Sequence, residues 1–156
     1  MFRFRTFVLP ILAAAFSGGL AHADDAVVGG PVAAQVLRVI DGDTFVAEAL
    51  IWPRQKITVN VRLRGIDAPE IRSRCPAEKT AGLEAREALA ALVRPQGITI
   101  SNIGGGKYYG RVMADAHTAE GLDIAETLLR QRLVRAYDGG RRERDCDALA
   151  LNENGG

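Results

Sequence analysis

The stretch "KITVNVRLRGIDAPE", residues 56–70, decides the fold of this chain. Its first half alternates strictly between polar and apolar side chains, and the apolar set is Ile57, Val59, Val61 and Leu63. Because successive side chains of a strand point to opposite faces, this pattern predicts a half-buried β-strand with a polar outer face. That outer face carries two cations, Arg62 and Arg64.

The second half of the same stretch predicts a bend. Arg62 and Asp67 lie five residues apart, so a straight strand would separate them by roughly 16 Å and place them on opposite faces. Gly65 permits a bulge or bend, and Pro69 fixes its own φ and keeps the residue before it extended. We therefore expect Asp67 and Glu70 to converge on one pocket.

The rest of the chain contains strands and helices in an order that favours a barrel. Four other runs have the apolar, β-branched composition of short strands, at residues 34–40, 44–50, 97–103 and 110–117. Pro76 and Pro95 bound a predicted helix of about 17 residues, with Ala81, Ala85, Ala88, Leu89 and Leu92 on its apolar face. Asp123 and Glu126 have the capping-box spacing that begins a second helix.

Three strands, a helix, two strands and a helix occur in this order in the oligonucleotide-binding (OB) barrel. We therefore predict a mainly β protein with α, a five-stranded antiparallel OB-fold barrel with two to three helices packed outside it. The predicted single domain covers residues 34–150, after a flexible leader at 24–33 and before a disordered tail at 151–156. The last part of the domain is expected to add a short helical turn.

Residues 1–23 have the pattern of a signal peptide. Two arginines precede an apolar run, and "AHA" at 21–23 has the small-x-small form of a cleavage site. The run is short and interrupted by Pro10, which disfavours a transmembrane span. We expect an exported protein, periplasmic or secreted, with no membrane association after cleavage; a retained N-terminal anchor is the alternative.

The overall charge does not indicate a nucleic-acid-binding protein. The chain has 20 basic and 19 acidic residues, and loss of Arg3 and Arg5 with the signal peptide changes the net charge from +1 to −1. Basic residues are nevertheless grouped at 54–64 and 132–144. Such groups either hold a polyanion or form a solvated face, and the sequence alone leaves both open.

Cys75 and Cys146 are the two cysteines of the chain. In a reducing compartment they would be buried thiols, whereas after export a disulfide is the expected state. In the chain-entropy account, such a long closed loop stabilises the fold by about 4 kcal/mol.

Three clusters hold the side chains suited to chemistry: "DGDT" at 41–44, "RLRGIDAPE" at 62–70 and "KYYGR" at 107–111. Each alone has an ordinary structural interpretation, because Asp-Gly is a strong turn former and charged residues are mostly exposed. Together, in this order and with a helix between the second and third, they resemble the staphylococcal nuclease (thermonuclease) family. The resemblance covers residues 34–138 and includes "VIDGDT" at 39–44 and "LLRQRLV" at 128–134.

The resemblance implies a Ca²⁺-dependent endonuclease on an OB barrel, a hydrolase acting on the phosphodiester bonds of DNA and RNA. It implies a preference for single strands, 3′-phosphate products and a metal bound by Asp43, Asp67 and the backbone carbonyl of Ala68. The best-known member has threonine in place of Ala68, so a side-chain hydroxyl is missing here. Two carboxylates and a carbonyl form an irregular oxygen site that Ca²⁺ tolerates when water completes it.

The same resemblance assigns the remaining catalytic roles. Arg62 and Arg111 are expected to grip the phosphate with their forked donors, and Glu70 to orient or deprotonate the attacking water. Arg64 matches no catalytic position and is expected to be solvated or loosely electrostatic. Candidate substrate contacts are Lys107, Tyr109 and Tyr137.

Two other functions fit parts of the sequence. A non-catalytic OB-fold module would bind nucleic acid without cleaving it, but such family members typically lack a metal carboxylate or an arginine that this chain retains. An exported calcium-binding structural protein would leave Arg62 and Arg111 unexplained. We expect a monomer with DNA and RNA as its partners.

Overall fold

The computed structural model describes residues 27–94, 97–106, 110–140 and 146. Within these ranges the elements follow the predicted order, with two short strands added. The elements are β1 (Val32–Asp41), β2 (Thr44–Trp52), β3 (Gln55–Leu63), β4 (Ile66–Asp67), α1 (Pro76–Val93), β5 (Ile98–Gly105), β6 (Arg111–Thr118), α2 (Ile124–Arg130) and β7 (Arg135–Ala136).

Five strands close a barrel in the order β1, β2, β3, β6, β5, and β4 pairs separately with β7. The predicted five-stranded barrel with helices is therefore confirmed. Its description as antiparallel was wrong in one place, because β3 and β6 run parallel. A closed ring with an odd number of strands cannot alternate in direction throughout, so one neighbouring pair has to be parallel. The crossover through α1 makes the parallel pairing possible.

The predicted alternation in β3 holds only in its second half. Val61 and Leu63 are buried, whereas Ile57 is 46% exposed. The reason is that β6 pairs with β3 only from Asn60 onward, while β1 pairs with β2 only as far as Ala49. The outer part of the β2–β3 hairpin therefore has no further strand beside it, and its apolar face is not covered.

The core lies between the inner faces of the barrel strands and one face of each helix. On α1, Ala85 and Leu89 are fully buried as predicted, and Gly82 and Val93 are also buried. Burying a large apolar side chain contributes about 1.5–3 kcal/mol. The largest fully buried apolar side chains are Phe45, Val61, Leu63, Ile66, Leu89, Val93, Ile100, Ile124 and Leu128.

The domain begins earlier than the sequence predicts. The N–H of Val28 donates to the carbonyl of Ile103 at 2.9 Å, the return bond is 2.8 Å, and β1 starts at Val32. Within the predicted leader at 24–33, Val28, Gly29, Val32 and Ala33 thus pair with β5. The signal peptide, the start of the leader and the tail lie outside the described residues, as does the helical turn apart from Cys146.

Cys75 and Cys146 form a disulfide with a Cα–Cα distance of 5.9 Å and a sequence separation of 71. The predicted pairing is therefore confirmed. Cys75 is also the N-cap residue of α1, so the bridge attaches the end of the chain to the start of that helix. In the described part of the chain, no helix has the length and apolarity needed to cross a membrane.

Candidate active site

The guanidinium of Arg62 joins two aspartates that are distant in sequence. Its Nη1 donates to Oδ1 of Asp43 at 2.8 Å, and its Nη2 donates to Oδ1 of Asp67 at 2.7 Å. Arg62 and Asp67 keep side-chain exposures of only 15% and 17%, and that of Asp43 is 2%. Three charged groups that the sequence places in two separate motifs thus meet at one edge of the barrel.

Asp43 is held by the turn between β1 and β2. Its Oδ2 accepts the N–H of Ala68 at 3.0 Å, and its Oδ1 also accepts the hydroxyl of Thr44 at 2.7 Å. The neighbouring Gly42 leaves no room for a side chain, because a Cβ there would lie 2.5 Å from Cβ of Ala85 in α1. Helix packing therefore sets the position of the turn, and the turn sets the position of Asp43.

The environment of Asp43 disfavours its charged form. Its pKa is raised from 3.8 to about 6, chiefly by burial and also by the nearby carboxylate of Asp41, while Arg62 and the N–H of Ala68 act in the opposite direction. The ion pair with Arg62 and the hydrogen bond from Ala68 thus do not fully offset the cost of burying the ionised carboxylate beside Asp41. A cation bound beside it would lower the cost of ionising this carboxylate.

The predicted bend after β3 is present. Gly65 has φ +77, and a Cβ at this position would have open space around it. Glycine is therefore favoured here by the left-handed backbone and not by crowding. The bend leads into β4, which pairs with β7 so that Asp67 stands opposite Arg135. The chain reversal brings Asp67 back to Arg62.

Glu70 lies on the loop between β4 and α1, and Glu78 of α1 accepts hydrogen bonds from that loop. The Oε1 of Glu78 accepts the N–H of Glu70 at 3.4 Å, and its Oε2 accepts the hydroxyl of Ser73. The Oε1 of Glu70 accepts the N–H of Arg72 at 3.1 Å. Glu70 and Asp41 line the same cavity, so the loop faces the turn that carries Asp43.

Arg111 is the first residue of β6 and is half-buried. It pairs in parallel register with Asn60 of β3, two residues before Arg62. Partners in register share a face of the sheet, and side chains alternate along a strand, so Arg111 and Arg62 lie on the same face. Lys107 and Tyr109, the predicted contacts just before it, lie outside the described residues.

Arg64 and Tyr137, which the sequence analysis also singled out, both have hydrogen-bond partners in the structure. Arg64 is not simply solvated: its Nη2 donates to the carbonyls of Asn102 at 2.6 Å and Met113 at 3.3 Å, because β3 ends beside the irregular pairing of β5 and β6. The N–H of Tyr137 donates to the carbonyl of Gly65 at 2.9 Å, and its hydroxyl donates to that of Gly140 at 2.8 Å. Its predicted substrate contact stays a prediction.

The donor set can be compared with what a metal ion requires. In the described residues, no group of three or more Asp, Glu, His or Cys side chains is arranged to hold a metal ion. Asp43 and Asp67 do offer carboxylate oxygens at the two ends of one guanidinium. This set fits a hard cation such as Ca²⁺ only if main-chain, water or phosphate oxygens complete it.

Comparison with known families decides the identity. Residues 60–154 match the family model described as staphylococcal nuclease homologue. The chain belongs to the staphylococcal nuclease family. Proteins of the staphylococcal nuclease family are generally nucleases, and the predicted membership is confirmed. The match begins within β3 and does not include Asp43. Asp43 is assigned to the site because it contacts Arg62 and Ala68, which lie within the matched residues. Comparison with curated proteins found no match.

Sequence reasoning missed three side chains beside this nuclease-family site. The sequence indicates Asp41 only as part of a turn and Arg135 only as part of a basic group, and it gives Glu78 no role in the site. Asp41 had a usable signal, because it precedes Asp43 by two residues across a tight turn. The contacts of Glu78 and Arg135 depend on how the loop and β7 fold back, which no local pattern indicates.

Proposed function

We propose that the protein is an exported calcium-dependent endonuclease that hydrolyses phosphodiester bonds of DNA and RNA. The observation that supports this most directly is the convergence of Asp43 and Asp67 on the guanidinium of Arg62, in a chain of a nuclease family. Asp43, Asp67 and the carbonyl of Ala68 would hold the ion. Bound Ca²⁺ would neutralise charge and polarise a phosphate oxygen.

The side chains of the site would share the remaining work of hydrolysis. Arg62 and Arg111 each present two parallel N–H donors, which suit the extra negative charge of a five-coordinate phosphate. Arg62 also contacts both candidate ligands, so it couples the position of the phosphate to that of the metal carboxylates. Glu70 would orient or deprotonate the attacking water, from a loop that Glu78 and Ser73 hold in place.

The remaining proposals concern the substrate, the products and the cellular location of the protein. Single strands are the expected substrates, 3′-phosphate ends the expected products, and Lys107, Tyr109 and Tyr137 the expected nucleotide contacts. The disulfide is compatible with an oxidising compartment, which supports a periplasmic or secreted location. A monomer is the expected state.

The test is digestion of heat-denatured DNA and of RNA with calcium and with a chelator. We expect cleavage of both with calcium and none with the chelator. Binding without cleavage in either condition would contradict the enzyme and support a binding module. In a calcium titration, Asp43→Ala should need far more calcium than the wild type or the exposed control Glu126→Ala; an unchanged curve would remove Asp43 from the metal site.

A further inference from the structure

A cavity of about 610 Å³ opens beside the candidate active site. Its walls are the end of β1 and the loop at residues 70–74, and they include Asp41 and Glu70. The same loop contributes two arginines to the wall, Arg72 and Arg74. The roles proposed above use the carboxylate of Glu70 and neither of these arginines.

Arg72 and Arg74 are exposed, and their side chains differ in one respect from the other cations near the site. Arg62 and Arg64 bond to carboxylates and carbonyls, whereas neither guanidinium of the loop has a side-chain hydrogen bond or ion pair within the part of the chain that the structure describes. Their donors therefore face solvent. The cavity wall carries these two cations beside the carboxylates of Asp41 and Glu70, so an anion would be held by the guanidinium donors of the loop and not by a wall of one charge.

Hydrogen bonds and the disulfide fix the backbone of the loop at residues 70–75, which carries Arg72 and Arg74. Ser73, which lies between the two arginines, turns its hydroxyl to Glu78, and its oxygen accepts the N–H of Cys75 at 3.1 Å. Ser73 is half-buried, while its neighbours on both sides are exposed. The disulfide of Cys75 holds the far end of the loop. The loop thus presents Arg72 and Arg74 outward from a fixed base.

We propose that Arg72 and Arg74 bind phosphates of the polynucleotide that flank the phosphate being cleaved. The inference rests on the proposed function, because it takes Glu70 and Asp43 to mark the place of cleavage. Guanidinium forks match phosphate oxygens, and backbone contacts of this kind are independent of base sequence. The cavity would then favour long strands over substrates with a single phosphodiester.

The experiment measures binding separately from cleavage. The affinity of fluorescein-labelled dT12 is measured by anisotropy at several salt concentrations with a chelator, and the oligonucleotide is checked for integrity afterwards. Each neutralised phosphate of a single strand contributes about 0.7 to the slope of log affinity against log salt. Arg72→Gln with Arg74→Gln should therefore flatten the slope by about 1.4 and weaken binding roughly tenfold at 0.1 M salt.

The matched control removes two positive charges at the opposite end of the barrel. Lys56→Gln with Arg94→Gln alters residues that line a second cavity near the start of β1, and its slope should stay within about 0.3 of the wild type. An equal change in both double variants, or none in the Arg72 and Arg74 variant, would overturn the proposal. Failure of the wild type to bind dT12 would also overturn it.

Cleavage assays distinguish this subsite from the proposed function. With calcium, the loop variant should raise KM for long denatured DNA about tenfold and leave kcat/KM for a thymidine dinucleotide unchanged. Equal loss on both substrates would contradict a flanking subsite. If the wild type binds dT12 through these arginines but cleaves nothing, the proposed function fails and the subsite remains.

Discussion

Arg62 forms ion pairs with two carboxylates of the candidate active site at once. Its two terminal nitrogens contact Asp43 and Asp67 within 2.8 Å, and the same fork is proposed to bind phosphate. A lysine has one ammonium, so it cannot reach both carboxylates and also present two parallel donors. In the proposed function, the side chain would therefore serve both the candidate metal carboxylates and the substrate.

We expect Arg62→Lys and Arg111→Lys each to lower kcat by at least about two orders of magnitude, the scale of one lost transition-state donor. The measurement is calcium-dependent cleavage of denatured DNA at saturating substrate. The control is Arg130→Lys, an exposed arginine on α2, which should retain wild-type rates. Near-normal activity in either site variant would contradict its role in phosphate binding.

Asp43 supplies a prediction about pH. Its folded pKa of about 6 exceeds the unfolded 3.8, so the group contributes stability below pH 3.8 that is lost as pH rises through about 6. Asp43→Asn mimics the protonated carboxyl and should stabilise the metal-free protein at pH 8 by up to about 3 kcal/mol. Near pH 5 the gain should be about half as large.

Guanidinium denaturation with a chelator at both pH values measures this effect. The exposed control Glu120→Gln should change the free energy of unfolding by less than about 0.5 kcal/mol at either pH. A loss of stability in Asp43→Asn that is equal at pH 8 and pH 5 would show that the carboxylate is favourably ionised in the folded protein.

At the scale of elements, α1 packs against the two loops that carry Asp43 and Glu70. A Cβ at Gly42 would meet Ala85 at 2.5 Å, and a Cβ at Gly82 would meet the carbonyl oxygen of Pro69 at 2.7 Å. The helix therefore touches the Asp43 turn and the Glu70 loop at van der Waals limits. Small residues at these points let backbone pack directly on helix.

Gly82→Ala tests this packing. In a free helix the change would stabilise by about 1 kcal/mol, but here the new methyl group has to displace the backbone at Pro69. We expect a loss of about 1–3 kcal/mol in unfolding free energy, the usual range for overpacking, together with lower kcat. Thr80→Ala, an exposed position on the same helix, should be neutral or stabilising. A gain of stability in Gly82→Ala would refute the close contact.

The loop at 70–75 depends on Glu78, which accepts hydrogen bonds from Glu70 and Ser73. We expect Glu78→Ala to lower kcat about tenfold with little change in KM, because the loop that positions Glu70 loses both acceptors. Glu78→Gln keeps one acceptor oxygen and should restore part of the rate. A rise in KM with kcat unchanged would instead assign Glu78 to substrate binding.

For the whole molecule, the barrel supplies a rigid frame and the disulfide attaches the chain end to it. Residues 75 and 146 are 71 apart in sequence, so the bridge removes much freedom from the unfolded chain. Because Cys75 ends the loop that carries Glu70, the bridge also restrains this part of the candidate active site.

Replacing both cysteines by serine should lower the free energy of unfolding by about 2–5 kcal/mol. Guanidinium denaturation with and without a reducing agent measures this. The wild type should lose a similar amount on reduction, and the double variant should not respond to the reductant. Equal sensitivity of both proteins would show that the reductant acts elsewhere.

The sequence by itself determined the parts of the structure that depend on neighbours along the chain. Alternation in "KITVNVRL" predicted β3, Pro76 the start of α1, Asp123 the cap of α2 and Gly65 the bend, because each acts through local backbone geometry. The order of strands and helices favoured the barrel, and the three motifs contained Asp43, Arg62, Asp67, Glu70 and Arg111, but not Glu78 or Arg135.

Only the tertiary structure decided how those pieces meet. Ring closure over five strands made β3 and β6 parallel, and the uncovered hairpin left Ile57 exposed. The contacts of Arg62 with both aspartates, the raised pKa of Asp43 and the support of Glu70 by Glu78 all join residues brought together by chain reversal. Charge and burial depend on distances through space, which a periodic pattern along the chain does not contain.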